Sequence, residues 1–153
     1  MVEHREVPGP PFMPSFRYKT EIFAAPDAVW DVLIDVERWH EWTPTVTRVA
    51  RLDSGPLAVG SRTRLWQPRL MPAVWKVTAR DDQARLFVWE ASRPAIRVIA
   101  RHHVELVSGG YTLLTLELTY RGLLGPLMAM QLKHLNWDYL TKEAQGLKTR
   151  CER

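Results

Sequence analysis

Cysteine is almost missing from this chain: Cys151 is the only one in 153 residues. An intrachain disulfide and a cysteine-built zinc site are therefore excluded, and a reducing compartment is the natural setting. A dominant charge of either sign is also lacking. The 21 Lys and Arg are scattered among 17 Asp and Glu for a net charge of +4, with no basic block of the kind that tracks a phosphate backbone. Nor are there long apolar runs. Nothing reaches the ~18 residues of a membrane span, and the opening MVEHREVPGPPFMPSF lacks the apolar core of a signal peptide. A cytoplasmic protein with no nucleic-acid partner and no integral membrane association is expected.

Motifs for common chemistries are missing as well. No Gly-x-Ser-x-Gly elbow, phosphate loop or dinucleotide fingerprint occurs, and the stretch from Gly122 to Gly125 is too short to count as one. His4, His40, His102, His103 and His134 never fall at the i, i+4 spacing of a zinc helix, and adjacent strand residues cannot both face one ion. No metal and no cofactor is expected, and catalytic residues stay unassigned.

What the chain does have is patterning, most of all in its last long segment. From Gly125 to about Arg150 the spacing predicts one helix, with Pro126 at a position where a missing N–H costs nothing. Met128, Leu132, Leu135 and Tyr139 recur at i, i+4, i+7 and i+11, and Leu140, Ala144 and Leu147 widen that stripe. Gln131, His134, Asp138, Thr141 and Gln145 form a narrow polar strip opposite. Gly146 lies on the inward side, where it costs about 1 kcal/mol relative to Ala, so a close backbone approach is expected there.

Upstream, Pro8, Pro10, Pro11 and Pro14 mark residues 1–15 as a loosely held arm, leaving 16–153 as one domain of a size that needs no staples. Phe16, Tyr18, Thr20 and Ile22 alternate with charged residues as in a half-buried strand. Ala25-Pro26-Asp27 opens a short helix carrying Val29, Trp30, Leu33 and Ile34, and a second follows through Val36 to Trp39. Alternating segments then run over 45–52, 61–67, 73–80, 85–92, 96–107 and 111–121, with Ser108-Gly109-Gly110 as a tight hairpin. The order is β, two short helices, six β and one long helix, an α+β arrangement. Short links imply an antiparallel, curved sheet of six to seven strands wrapped around the C-terminal helix.

At TEIFAAPDAVWDVLIDVERWHEWTPTVTRV the sequence resembles the polyketide cyclase/dehydrase-type branch of the START-like (SRPBCC), helix-grip superfamily. Val59-Gly60-Ser61-Arg62, Gln67-Pro68, Ala73 to Val77, Phe87 to Glu90, Arg101-His102 and Glu143 to Lys148 extend the likeness over roughly Thr20 to Glu152. The resemblance implies a deep, mostly apolar cavity between sheet and long helix. It carries over no shared nucleophile, and folds of this kind host carriers, receptors and cyclases alike.

Within that frame the candidate ligand-binding residues are Gln67, Trp75, Trp89, His102, Tyr120, Met128, Leu132 and Leu135. Met128, Leu132 and Leu135 offer flexible or branched walls, and Trp75 and Trp89 offer flat ones if their faces turn inward. His102 alternates with Val98, Ala100 and Val104, which makes it either a satisfied core histidine or a polar group at the end of a pocket. Gln67 and Tyr120 are further polar handles. Trp39 and Trp42 either pack or gate the mouth, and Met130 and Trp137 either meet the arm or form a contact in a dimer. The expected ligand is a small apolar molecule (a lipid, polyketide or aromatic metabolite) bound by a monomer or homodimer acting as carrier or sensor. A cyclase/dehydratase-type enzyme and an interaction domain with a vestigial cavity are the alternatives.

Overall fold

The architecture comes from a computed structural model that describes the backbone of residues 3–7 and residues 13–153. Twelve elements follow in order. Two strands, β1 (Glu3–Val7) and β2 (Ser15–Ile22), precede α1 (Pro26–Ile34) and a 3-10 turn at Val36–Glu41. Six strands come next: β3 (Arg48–Arg51), β4 (Arg62–Trp66), β5 (Ala73–Asp81), β6 (Leu86–Arg93), β7 (Ile96–Leu106) and β8 (Thr112–Arg121). The chain closes with α2 (Gly125–Gln131) and α3 (Lys133–Cys151). All pairs are antiparallel, in the sheet order β1-β2-β8-β7-β6-β5-β4-β3. A register shift between Val77 and Ala79 bends β5, as bulges do where a sheet curls.

The seven strands expected from alternation are present, and an eighth joins them. Glu3–Val7 pairs with Ser15–Lys19 along the free edge of β2, where the prolines of the arm lead one to expect irregular chain. It lies ahead of the first proline, and the open N–H and C=O groups of an edge strand are a ready template for pairing. Pro8, Pro10 and Pro11 lie outside the described residues; the Pro14 carbonyl accepts the Tyr120 N–H at 3.0 Å.

The larger correction concerns the C-terminal helix, which is two segments. At Leu132 the backbone leaves helical geometry (φ −98°, ψ 11°), so α2 packs against the ends of β7 and β8 while α3 lies across β2 and β8. No proline or glycine marks the break. The buried face of α3 is Asn136, Leu140, Ala144 and Leu147: Leu140, Ala144 and Leu147 face inward as expected, while Asn136 takes the inward place expected for Leu135. Gly146 does make the close approach: a Cβ there would overlap the Trp42 carbonyl oxygen. Cys151 is the last residue of α3, half-buried against the core. Trp137 also belongs to the domain, edge-on to Phe16 with ring centroids 5.5 Å apart, while Met130 is exposed.

The core fills the space between the sheet's inner face and the helices. Trp30, Leu33, Trp39, Phe87, Trp89, Leu114, Leu116 and Leu147 are all buried in it. Among the described residues no helix is long and apolar enough to cross a membrane.

Candidate functional site

Packing does not fill that space completely. Between the inner faces of β4 to β8 and the α2–α3 bend lies a cavity of about 570 Å³, within the range of small-molecule sites. Gln67, Trp75, Trp89, His102, Tyr120, Met128 and Leu132 all line it. Leu135 does not: Asn136, four residues after Leu132, takes the inward position instead. In its place α3 contributes Asn136, Tyr139, Leu140 and Glu143.

The floor is aromatic. Trp39, on the 3-10 turn, is buried and fixed by its indole N–H, which donates to the Leu33 carbonyl at 2.9 Å. Its ring lies 5.1 Å from that of Trp89, and Trp75 follows at 5.7 Å from Trp89. Trp39 is thus a fixed wall rather than a gate. Trp42 lies outside this cavity, under Gly146. Half-buried Trp75 brings an indole N–H with no hydrogen-bond partner in the protein.

Two polar pairs interrupt the apolar walls, each joining a strand to α3. His102 is 3% exposed and directly opposite Phe87 in the β6–β7 register, so the two rings stack at 4.1 Å and 7°. Its Nε2 faces Glu143 Oε1 at 3.4 Å, near enough for ion pairing but outside good hydrogen-bond geometry. His102 Nδ1 and Glu143 Oε1 are both buried without a hydrogen bond. In the second pair the buried Tyr120 hydroxyl donates to Asn136 Oδ1 at 2.9 Å, which leaves Asn136 Nδ2 unpartnered. Burial pushes the Tyr120 hydroxyl above its ordinary pKa, and the Asn136 bond pulls against that. At the opening the Tyr139 hydroxyl donates to the Pro68 carbonyl, tying α3 to the β4–β5 loop.

Glu143 and Asn136 are the polar groups that sequence reasoning missed. Their signal was present: Asn136, Leu140, Glu143 and Leu147 recur at i, i+4, i+7 and i+11. They continue the Met128–Leu132 row at i+4, but the apolar Leu135 at i+3 reads as its next member ahead of the polar Asn136. Among the described residues no three His, Cys, Asp or Glu side chains cluster as a metal site would need. A second hollow of about 360 Å³ lies where α3 crosses Trp42 and Pro44; there Arg150 already pairs with Glu41 at 3.1 Å, and Lys142 with Asp138 at 2.8 Å.

A curved antiparallel sheet gripping a long C-terminal helix, with an aromatic-floored cavity between them, defines the helix-grip class of ligand-cavity domain. The chain belongs to the family described as polyketide cyclase / dehydrase and lipid transport, which it matches over residues 13–152. Solved structures with the same fold include the Zhui aromatase/cyclase from Streptomyces sp. R1128, at 18% identity over 92% of this chain and 94% of that one, with a TM-score of 0.76. Ginseng major latex-like protein 151 from Panax ginseng is 13% identical over 93% and 99%, with a TM-score of 0.74. The protein TTHA0849 from Thermus thermophilus is 19% identical over 90% and 97%, with a TM-score of 0.72. No curated protein matches the chain.

Proposed function

We propose that the chain binds one small, largely apolar or aromatic molecule between its sheet and the α2–α3 bend, as a carrier or sensor. The observation that carries this reading is the set of buried polar atoms around the cavity. Trp75 Nε1, His102 Nδ1, Asn136 Nδ2 and Glu143 Oε1 have no protein hydrogen bond, and a buried polar group left unmade costs about 1–3 kcal/mol. A ligand with an aromatic body and a few hydroxyl or carbonyl groups would stack on Trp75 and Trp89 and satisfy those atoms. Gln67, Met128 and Leu132 would close over it near the opening. The family's description, which includes lipid transport, agrees with such a cargo.

A second reading, an enzyme of cyclase or dehydratase type, is favoured by the His102–Glu143 pair. An imidazole held against a carboxylate in a water-poor cavity is suited to moving a proton to or from a bound carbonyl compound. The aromatase/cyclase among the solved structures points the same way.

The test is uptake of an environment-sensitive apolar dye by purified protein, with native mass spectrometry of protein taken from its own cells. Saturable dye binding and a co-purifying small molecule are expected. A protein that takes up no dye and carries no molecule has a vestigial cavity. Turnover of a bound carbonyl compound, lost in His102→Gln and Glu143→Gln while dye uptake persists, would make the chain an enzyme.

A further inference from the structure

The opening of the cavity has a composition unlike the rest of the surface. Three segments frame it: the β4–β5 loop (67–72), the β6–β7 turn (92–97) and the stretch from the end of β8 through α2 (121–133). They form one rim. Leu124 N–H donates to the Ala95 carbonyl at 3.0 Å, Arg93 Nη2 donates to the Pro72 carbonyl at 2.9 Å, and Tyr139 on α3 holds Pro68.

Charge and apolar exposure both concentrate on this rim. It carries Arg69, Arg93, Arg97, Arg121 and Lys133 and not one of the chain's 17 acids. Arg97 and Arg121 are directly opposite each other across β7 and β8, an arrangement that costs stability unless anions relieve it; Glu90, outside the rim segments, pairs with Arg97 at 3.8 Å. Among the described residues ten large apolar side chains are exposed, and half of them are here: Met71 75%, Leu123 89%, Leu124 44%, Leu127 48% and Met130 68%. Leu123, Leu127 and Met130 recur at i, i+4 and i+7 on one face of α2 and its entry. Exposed apolar groups ringed by cations are the pattern of a segment that lies in a membrane interface, its apolar face among the acyl chains and its cations at anionic headgroups.

We infer that the rim of the cavity docks on the surface of an anionic phospholipid bilayer, with Leu123, Leu127, Met130 and Met71 inserted and Arg93, Arg121 and Lys133 on the headgroups. The inference rests on the proposed function, since docking there opens an apolar cavity onto an apolar phase and lets cargo pass without crossing water. A protein partner is less favoured, because the three segments contain no Trp, Tyr or Phe, the residues that together with Arg anchor protein interfaces.

Sedimentation with phosphatidylcholine vesicles, with and without phosphatidylglycerol, tests it. The wild type should bind the anionic vesicles, release them at high salt and ignore the neutral ones. Leu123→Ser/Leu127→Ser should weaken binding about tenfold by removing inserted apolar area. Arg93→Gln/Arg121→Gln should weaken it roughly 30-fold, from about 1 kcal/mol per cation. Arg38→Gln/Lys76→Gln removes the same charge away from the rim and should bind as the wild type does. Absence of binding to anionic vesicles, or an equal loss in the Arg38/Lys76 variant, overturns the inference. Rim-dependent binding to poly-glutamate without vesicle binding overturns it in favour of an acidic protein partner. Dye uptake from solution separates the two proposals: vesicle failure with uptake intact overturns docking alone, and vesicle binding without uptake overturns the cavity ligand alone.

Discussion

His102 Nε2 and Glu143 Oε1 face each other at 3.4 Å across the cavity, one from the middle of β7 and the other from the middle of α3. Nothing else joins these two elements through buried ionisable groups among the described residues. The pair links the sheet to the helix at the point where the fold is hollow, so each partner's contribution depends on the other. A double-mutant cycle with His102→Leu and Glu143→Leu, read by urea denaturation, should give a coupling of about 1–3 kcal/mol. Additivity within about 0.5 kcal/mol would show that the two groups do not interact.

Leu132→Trp separates a real cavity from a solid core. An indole forced into a solid core costs about 1–3 kcal/mol, but at Leu132 it has the cavity to enter. The melting temperature should fall by no more than a few degrees while dye uptake is lost. A sharp fall in melting temperature, in a protein that never bound dye, would show that the space is absent.

Gly146→Ala should destabilise the protein even though helix propensity alone favours Ala by about 1 kcal/mol. The added methyl meets the Trp42 carbonyl oxygen, a backbone atom that moves only with the whole 3-10 turn. A loss of about 1–3 kcal/mol is expected from overpacking, seen as a lower urea midpoint. A gain would mean that α3 does not approach Trp42 so closely.

Burial pushes the Cys151 thiol up to about 11. In the unfolded chain the thiol ionises near 9.0, so between those values the unfolded state has lost a proton that the folded state keeps. Stability from this group is therefore full below about pH 9 and declines as pH rises toward 11. Alkylation by iodoacetamide at neutral pH should be much slower than for a free thiol, and Cys151→Ala should flatten part of the alkaline loss of stability. Rapid labelling in the folded state would place the thiol in water.

Much of the site was legible because strands encode their faces with period two. His102 beside Ala100 and Val104, and Tyr120 beside Leu114 and Leu116, face inward as alternation requires, and the strand-borne candidates Trp75 and Trp89 line the cavity with them. The helix misled for the opposite reason. Its 3.6-residue period lets a stripe continue at i+3 or at i+4, and from Leu132 the inward position is not Leu135 but Asn136, which leads on through Leu140 to Glu143. Nothing local in Met130-Gln131-Leu132-Lys133 breaks a helix. The turn at Leu132 arises because α2 must cap the ends of β7 and β8 while α3 crosses the sheet.

The sequence by itself determined the class of fold, the order of the elements from β2 to β8, and the inward faces of the strands that carry His102 and Tyr120. Those follow from local spacing, and local spacing survives in one dimension. Tertiary structure alone decided the joining of Glu3–Val7 to the sheet edge, the bend at Leu132, and the meeting of His102 with Glu143 and of Tyr120 with Asn136. It also assembled the cationic, leucine-rich rim from three separated segments. These are contacts between residues far apart in the chain, and only closure of the sheet over its helix brings them within a few ångströms.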